Sequence, residues 1–150
     1  FTVEMMTIGR TLKDASLAWS AADALHLPFA DASFDALVSG YLLRNVSSLQ
    51  QALGEQHRVL KPGGRLVALD TTRPPRSPLS PLINFHLHTV IPALGQLMTG
   101  EAEAYTYLPD STQEFLSAEQ LAARLVQAGF RQVGFRRLMF GTMALHWGVK

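Results

Sequence analysis

Cysteine is absent from this 150-residue chain. The sequence therefore excludes a disulfide framework and a thiolate metal site, and it fits a reducing compartment such as the cytoplasm. No uninterrupted apolar run approaches the roughly 20 residues that a membrane-spanning helix requires, so no stable membrane insertion is expected. An excess of one charge is lacking as well. The formal net charge is +1, which gives no reason to expect nucleic acid as a partner.

Apolar residues are plentiful enough for one hydrophobic core. They make up 47% of the chain against 17% charged residues, a balance typical of an ordinary globular protein. The length fits one domain.

Helical and strand-like patterns alternate along the chain. Helical spacing and cap residues predict helices over 3–13, from Ser47 to Leu60, and from Ser117 to a stop at Gly129. Short apolar or alternating runs predict strands at 17–21, 34–40, 65–71, 132–138 and 142–149. This order predicts an α/β fold with a mostly parallel sheet and one antiparallel strand.

One stretch, from Arg58 to Asp70, combines a helix end, a turn and a strand. Pro62 cannot continue a helix, and Gly63-Gly64 suits a sharp reversal. The apolar run that follows is typical of a parallel strand covered on both faces. The sequence Arg-Val-Leu-Lys-Pro-Gly-Gly before a strand ending in an acidic residue resembles class I S-adenosylmethionine-dependent methyltransferases. More narrowly, it resembles the ubiquinone/menaquinone-biosynthesis C-methyltransferase family.

Five further segments resemble the same family in order and spacing. Each alone is weak, and together they cover the whole chain. They are Phe1-Thr2-x-Glu4-Met5, Asp23-Ala24 with Leu27-Pro28-Phe29 and Phe34-Asp35, Leu43-Arg44-Asn45-Val46, Tyr105-x-Tyr107-Leu108-x-x-Ser111, and Ala144-Leu145-His146-x-Gly148-x-Lys150.

The resemblance implies a Rossmann-like sheet, S-adenosylmethionine as cofactor, and a quinol-type or other lipid-like substrate. It implies that Asp23 and Ala24 hold the adenine and that Gly40 lies beside the sulfonium. Arg44 would be the catalytic residue that orients a phenol or phenolate oxygen. Two plainer interpretations stay open: Asp23 caps a turn, and Arg44 forms a structural salt bridge.

Residues 72–113 interrupt the regular pattern and resemble a substrate lid. An apolar helix pair there could cover a polyprenyl tail, or it could simply complete the core. The candidate substrate contacts are Tyr105, Tyr107 and His88. A metal at His86 and His88 is not expected, because residues two apart on a helix do not share a face. His146 is expected to be a core histidine.

The family's glycine-rich cofactor loop has no counterpart, since no Gly-x-Gly occurs in the sequence. We therefore expect a C-terminal portion of a longer enzyme, lacking the first two strands of the sheet and inactive alone. The strand at 17–21 would then have no neighbour, and the strand at 34–40 would present a bare edge. Such an edge predicts a homo-oligomer, or a rearrangement of the first 30 residues.

Two other functions remain open at this point. One is a class I methyltransferase for a different small molecule, such as a sterol or another lipid. The other is a non-catalytic, truncated Rossmann-like module that serves as an oligomeric scaffold.

Overall fold

The computed structural model describes residues 3–12, 18–74 and 115–150. Nearly all of the predicted lid lies outside the described residues, as do Tyr105, Tyr107, His86 and His88. The division of the chain into a domain and a lid insert therefore stays a prediction.

Three helices and four strands make up the described part. In chain order they are α1 (Val3–Leu12), β1 (Phe34–Gly40), α2 (Leu49–Val59), β2 (Leu60–Thr71), α3 (Ala118–Gln127), β3 (Arg131–Leu138) and β4 (Met143–Val149). Short 3-10 turns span Leu43–Asn45 and Met139–Gly141.

The four strands form one sheet in the order β1-β2-β4-β3. β1 and β2 pair in parallel, with Gly40 opposite Leu69. β4 runs antiparallel to both of its neighbours, β2 and β3. Three strands therefore share one direction and β4 opposes them, so the prediction of a single antiparallel strand is confirmed. Pair by pair, the sheet has one parallel and two antiparallel ladders.

The hydrophobic core lies between the sheet and helices α2 and α3. Leu53 on α2, Leu66 on β2, and Leu121 and Leu125 on α3 have no exposed surface. Each such leucine contributes about 1.5–3 kcal/mol by burial. This packing fixes α2 against β2, and α2 in turn positions the segments at the edge of the sheet.

Helix α3 begins and ends at the predicted signals. The Ser117 hydroxyl accepts from the Gln120 amide while the Gln120 side chain accepts from the Ser117 amide, which completes a capping box. Gly129 follows the helix with φ +100°, a conformation that favours glycine.

The turn predicted at Pro62-Gly63-Gly64 is a bulge within a longer β2. Phe34 pairs with Leu60 and Ala36 with Arg65, so residues 61–64 loop out of register. Gly63 has φ +80°, and a Cβ on Gly64 would lie 2.8 Å from the Lys61 carbonyl oxygen. β2 thus begins at Leu60, not at 65, and α2 follows Ser48 instead of the predicted Ser47.

The predicted strand at 17–21 is wrong over its described residues. Residues 18–22 have no strand pairing, and the nearest pairing is an isolated bridge between Asp23 and His26. A strand needs a neighbour to bond its amides and carbonyls. Among the described residues β1 pairs with β2 alone, so its other edge has no partner strand within them, and the Val38 side chain of this strand is 82% exposed.

Candidate functional site

The carboxyl ends of β1 and β2 lie side by side at one end of the sheet. Ligands of open α/β sheets bind just beyond the carboxyl ends of the strands. Gly40 is the last residue of β1, and a Cβ built there would meet nothing within 4 Å. The end of β1 therefore faces open space, where a ligand can approach the backbone closely.

Asp70, near the carboxyl end of β2, is a buried carboxylate that binds the neighbouring backbone. Its side chain is 1% exposed. One carboxylate oxygen accepts from the Leu43 amide at 2.8 Å, and the other accepts from the Thr71 amide at 2.8 Å. Burial raises the pKa of Asp70, while these amides and Arg44 oppose that rise. Asp70 thus holds the 3-10 turn that carries Arg44.

Asp70 was missing from the predicted site. Its signal in the sequence was an acidic residue at the end of a buried strand, which local pattern alone cannot connect to Leu43, 27 residues away.

Arg44 lies against Asp70 and Tyr41. Its Nε is 3.7 Å from Asp70 Oδ1, and its side chain is 12% exposed. The guanidinium carbon lies 5.8 Å from the centroid of the Tyr41 ring. The salt bridge considered from the sequence is therefore present, and it fixes the direction of Arg44. A contact with substrate stays a prediction.

Tyr41 shapes the turn that leaves β1. Its φ is +52°, which is uncommon for a bulky residue and is held here by surrounding bonds. The Tyr41 amide donates to the Leu69 carbonyl at 2.9 Å, and its own carbonyl accepts from the Asn45 side chain at 2.7 Å. The strained turn keeps the chain close to the end of β2.

Asp23 caps a turn, as the plainer interpretation held. Its Oδ1 accepts from the Leu25 amide at 2.9 Å, and its Oδ2 lies 3.4 Å from His26 Nδ1. The Leu25 amide chiefly, with help from His26, lowers the pKa of Asp23. The carboxylate is charged and 54% exposed. It therefore retains lone pairs for a ligand, because each carboxylate oxygen can accept two hydrogen bonds.

A cavity of about 530 Å³ brings Ala24 and Gly40 together. Its walls are mainly apolar, with Leu27, Phe29 and Leu37 among them. Ser39 Oγ and Gln56 Oε1 belong to lining residues, and both atoms are buried without a hydrogen-bond partner in the described part of the chain. An apolar cavity with a few polar atoms is typical of small-molecule sites. Arg44 does not line it.

Side chains of α2 hold the loop on which Asp23 and Ala24 lie. Gln51, Glu55 and Arg58 all bond to that loop. Their contact with the loop was not predicted from the sequence. His146, in contrast, is the buried core histidine expected: its Nε2 lies 2.9 Å from the Ala118 carbonyl, and burial lowers its pKa.

Two kinds of feature are absent from residues 3–12, 18–74 and 115–150. No group of three or more histidine, aspartate or glutamate side chains could hold a metal ion there. No helix in these ranges is long and apolar enough to cross a bilayer.

Solved structures share this fold. A putative methyltransferase from Bacillus halodurans superposes with a TM-score of 0.66 at 13% identity, covering 100% of this chain and 80% of that one. A SAM-dependent methyltransferase from Aquifex aeolicus gives a TM-score of 0.59 at 17% identity, covering 98% and 60%. At these identities the likeness shows the fold, a Rossmann-like methyltransferase sheet.

Relatives that match in sequence have much higher identities than these structures. A ubiquinone/menaquinone biosynthesis C-methyltransferase from Desulfotalea psychrophila is 48% identical over 132 residues, covering 88% of this chain and 54% of the relative. A demethylmenaquinone methyltransferase from Thermus thermophilus is 40% identical, covering 99% and 68%. The mitochondrial 2-methoxy-6-polyprenyl-1,4-benzoquinol methylase of Bos taurus is 39% identical, covering 98% and 46%.

The chain spans about half the length of several of the curated relatives that it matches. Within that span, the family model described as the ubiE/COQ5 methyltransferase family matches residues 2–150. Together with the sheet order and the relatives, this match shows that the chain belongs to the ubiE/COQ5 methyltransferase family.

Proposed function

We propose that this chain forms the adenine-side and substrate-side part of an S-adenosylmethionine-dependent C-methyltransferase. The substrate is a quinol-type ring with an apolar tail. The family match supports the reaction class. The names of the relatives, which act on demethylmenaquinone or a polyprenyl benzoquinol, support the substrate class.

One observation carries the proposal: Ala24 and Gly40 line the same cavity, which extends along β1 from Phe34 to the strand's carboxyl end at Gly40. They come from separate segments, and the resemblance assigned both to the cofactor. The cavity also fits a nucleoside in chemistry. Its mainly apolar walls suit a flat ring.

The bound cofactor supplies a methyl group on a sulfonium, and the chain's residues supply placement and charge. The Asp23 carboxylate accepts from the adenine amino group, and the Ala24 amide donates to a ring nitrogen. Gly40 leaves room beside the sulfonium. Arg44, held in direction by Asp70, stabilises the phenolate form of the ring. Holding both reactants in line and stabilising developing charge are the main sources of rate in such a site.

The lid remains part of the proposal. Tyr105, Tyr107 and His88 lie outside the described residues, and we propose them as contacts to the ring or its tail. Burial of an apolar tail under this segment would stabilise the complex by about 25 cal/mol per Å².

Cofactor binding tests the proposal directly. The sequence has no Gly-x-Gly, so we expect the 150-residue chain alone to bind S-adenosylmethionine weakly or not at all. The complete protein of its reading frame should bind S-adenosylhomocysteine and methylate a prenylated demethylquinol. Calorimetry on both proteins decides the matter. Absence of binding by the complete protein contradicts the function, and clean micromolar binding by the chain alone contradicts the role given to the missing loop.

Substrate choice separates the proposal from a methyltransferase for another lipid. Prenylated demethylquinol and a sterol are offered to the complete protein, and methyl transfer is followed by mass spectrometry. Arg44→Met should reduce kcat on the quinol, and Arg44→Lys should restore part of it, since lysine retains the charge but not the planar fork. Transfer to the sterol alone would favour the other substrate class.

The open edge of β1 supports a second, non-catalytic candidate for the chain by itself. Apolar strand edges recruit further strands, and Val38 on this edge is 82% exposed. We propose that the isolated chain forms a homo-oligomer through β1. Light scattering after size exclusion should detect a dimer or larger species. A monodisperse monomer with an unchanged strand order would contradict the oligomer.

A further inference from the structure

The loop from Asp23 to Ser33 carries two proposed cofactor contacts but has almost no regular structure of its own. Its only bridge joins Asp23 and His26. Backbone amides and carbonyls of such a loop need partners from elsewhere. Helix α2 supplies them along one face, because residues spaced by three, four and seven positions project from the same side of a helix.

Arg58 provides more of these bonds than any other residue of α2. Its guanidinium donates to both oxygens of Glu55, at 2.7 and 2.9 Å. It also donates to the Leu27 carbonyl at 2.9 Å, the Phe29 carbonyl at 2.8 Å and the Asp31 carboxylate at 2.7 Å. A guanidinium has five N–H donors, and all of them are used here.

The negatively charged Glu55 also bonds to the loop. Its Oε2 accepts from the Leu27 amide at 2.8 Å, so the Glu55–Arg58 pair bonds both the amide and the carbonyl of one loop residue. One turn earlier on the helix, the Gln51 side chain donates to the Leu25 carbonyl at 3.2 Å. The loop is therefore held at residues 25, 27, 29 and 31.

Charge and partial burial strengthen the ion pair between Glu55 and Arg58. The Glu55 side chain is 18% exposed and that of Arg58 is 31% exposed. The Arg58 guanidinium, with the Leu27 amide, lowers the pKa of Glu55 to about 2 against the opposing effect of burial. Both groups are thus charged at neutral pH, and charge-assisted bidentate bonds are among the stronger hydrogen bonds in proteins.

We propose that Glu55 and Arg58 are positioning residues that fix the loop carrying Ala24 and thereby set the affinity for the nucleoside part of the cofactor. This inference rests on the proposed function. Neither residue needs to touch the cofactor. A loop already held in its bound conformation does not have to be ordered when the ligand arrives, and this preorganisation strengthens binding.

A purely structural role for the pair makes a different prediction. Loss of general support would lower the melting temperature while leaving the dissociation constant unchanged in protein that is still folded. Positioning of the loop predicts a raised cofactor KM with little change in kcat or in the quinol KM, because the lost term is ground-state cofactor binding.

The experiment uses the complete protein with Arg58→Met, Arg58→Lys and Glu55→Gln. Arg136→Met is the matched control, since Arg136 is an exposed arginine on β3 away from the loop. Calorimetry gives the dissociation constant for S-adenosylhomocysteine, and amide hydrogen exchange follows residues 25–31. Both are measured well below the melting temperature of each variant.

We expect Arg58→Met to accelerate exchange across residues 25–31 and to raise the dissociation constant by about tenfold or more. Glu55→Gln should give a smaller effect in the same direction. Arg58→Lys should recover part of the affinity, because lysine keeps the charge but cannot form the five-bond fork. The control should match the wild type in both measurements.

Each other outcome has a definite meaning. Faster exchange with unchanged affinity, or unchanged exchange, overturns the inference and leaves the proposed function intact. Failure of the wild type to bind overturns the proposed function and this inference with it. If Arg58→Met does not fold, Glu55→Gln and Gln51→Ala replace it, and unchanged affinity in both overturns the inference.

Discussion

Glu55 and Asp70 are two carboxylates that organise two sides of one site, and their pKa values move in opposite directions. Glu55 faces a bidentate guanidinium at the edge of solvent, and its pKa falls to about 2. Asp70 is 1% exposed, its cation is 3.7 Å away, and burial raises its pKa. The pKa of the carboxyl group is thus set mainly by the cationic partner at Glu55 and mainly by loss of water at Asp70.

The difference shows what each carboxylate contributes. Glu55 secures a loop that could otherwise move, so its removal should mainly affect dynamics and ligand affinity. Asp70 satisfies buried amides, including one in the turn that carries Arg44, so its removal should lower the free energy of unfolding more than the removal of Glu55.

Truncation of Asp70 should have the largest effect on stability. In Asp70→Ala the Leu43 and Thr71 amides lose their acceptor, and each unsatisfied buried donor is worth about 1–3 kcal/mol. We expect a loss on the order of 3 kcal/mol in urea-induced unfolding. Asp70→Asn is the control and should lose less, because asparagine retains one acceptor oxygen. A loss in Asp70→Ala below about 1 kcal/mol would show that the amides find other partners.

The second largest effect expected is a difference in how the stability contributions of Glu55 and Asp70 depend on pH. A lowered folded pKa gives Glu55 a stabilising contribution that is complete above its ordinary value of 4.5 and lost as pH falls to about 2. Asp70 has a raised pKa in the folded state, so its contribution to stability has the opposite pH dependence. That contribution is complete below the ordinary pKa of 3.8 and is lost as the pH rises through the raised pKa of the folded state.

Carboxyl carbon shifts followed by NMR should therefore show Asp70 titrating at higher pH than Glu55. Glu55→Gln and Asp70→Asn identify the two resonances. The order would be reversed if solvent, and not Arg58 or burial, set both values.

An exposed ion pair provides the smallest effect and the baseline for the comparison. Lys61 Nζ lies 2.9 Å from both oxygens of Asp35, but their side chains are 45% and 85% exposed. Such pairs contribute little, because water and salt screen them. Lys61→Met should leave the urea midpoint unchanged. A clear shift would mean that geometry alone, without burial, makes a carboxylate pair important here.

Elements with local signals were predictable from the sequence. The capping box at Ser117 and Gln120 and the stop at Gly129 set the limits of α3 through contacts within a few residues. The predicted strand at 17–21 failed because a strand depends on a neighbouring ladder, which no local run of residues supplies.

The positioning residues of the site were not predictable in the same way. The Asp70–Leu43 bond joins residues 27 apart, and the Arg58–Leu27 bond joins residues 31 apart. A family resemblance indicated Asp23, Ala24, Gly40 and Arg44. Arg58 and Asp70 lie within the motif that carries the resemblance, but it gave them no role, because their contacts depend on where α2 and β2 pack in three dimensions.

The bulge at residues 61–64 also determines where the molecule can be attached to a surface. The Gly63 amide donates to the Lys150 carbonyl and the Lys150 amide to the Gly64 carbonyl, both at 3.0 Å. Residue 150 is therefore pinned at the amino end of β2, six strand residues from Asp70. At about 3.3 Å per residue, that separation is roughly 20 Å. A biosensor tether or fluorophore attached to the chain at this end of β2 would start from a fixed point and leave the carboxyl end of the strand unobstructed.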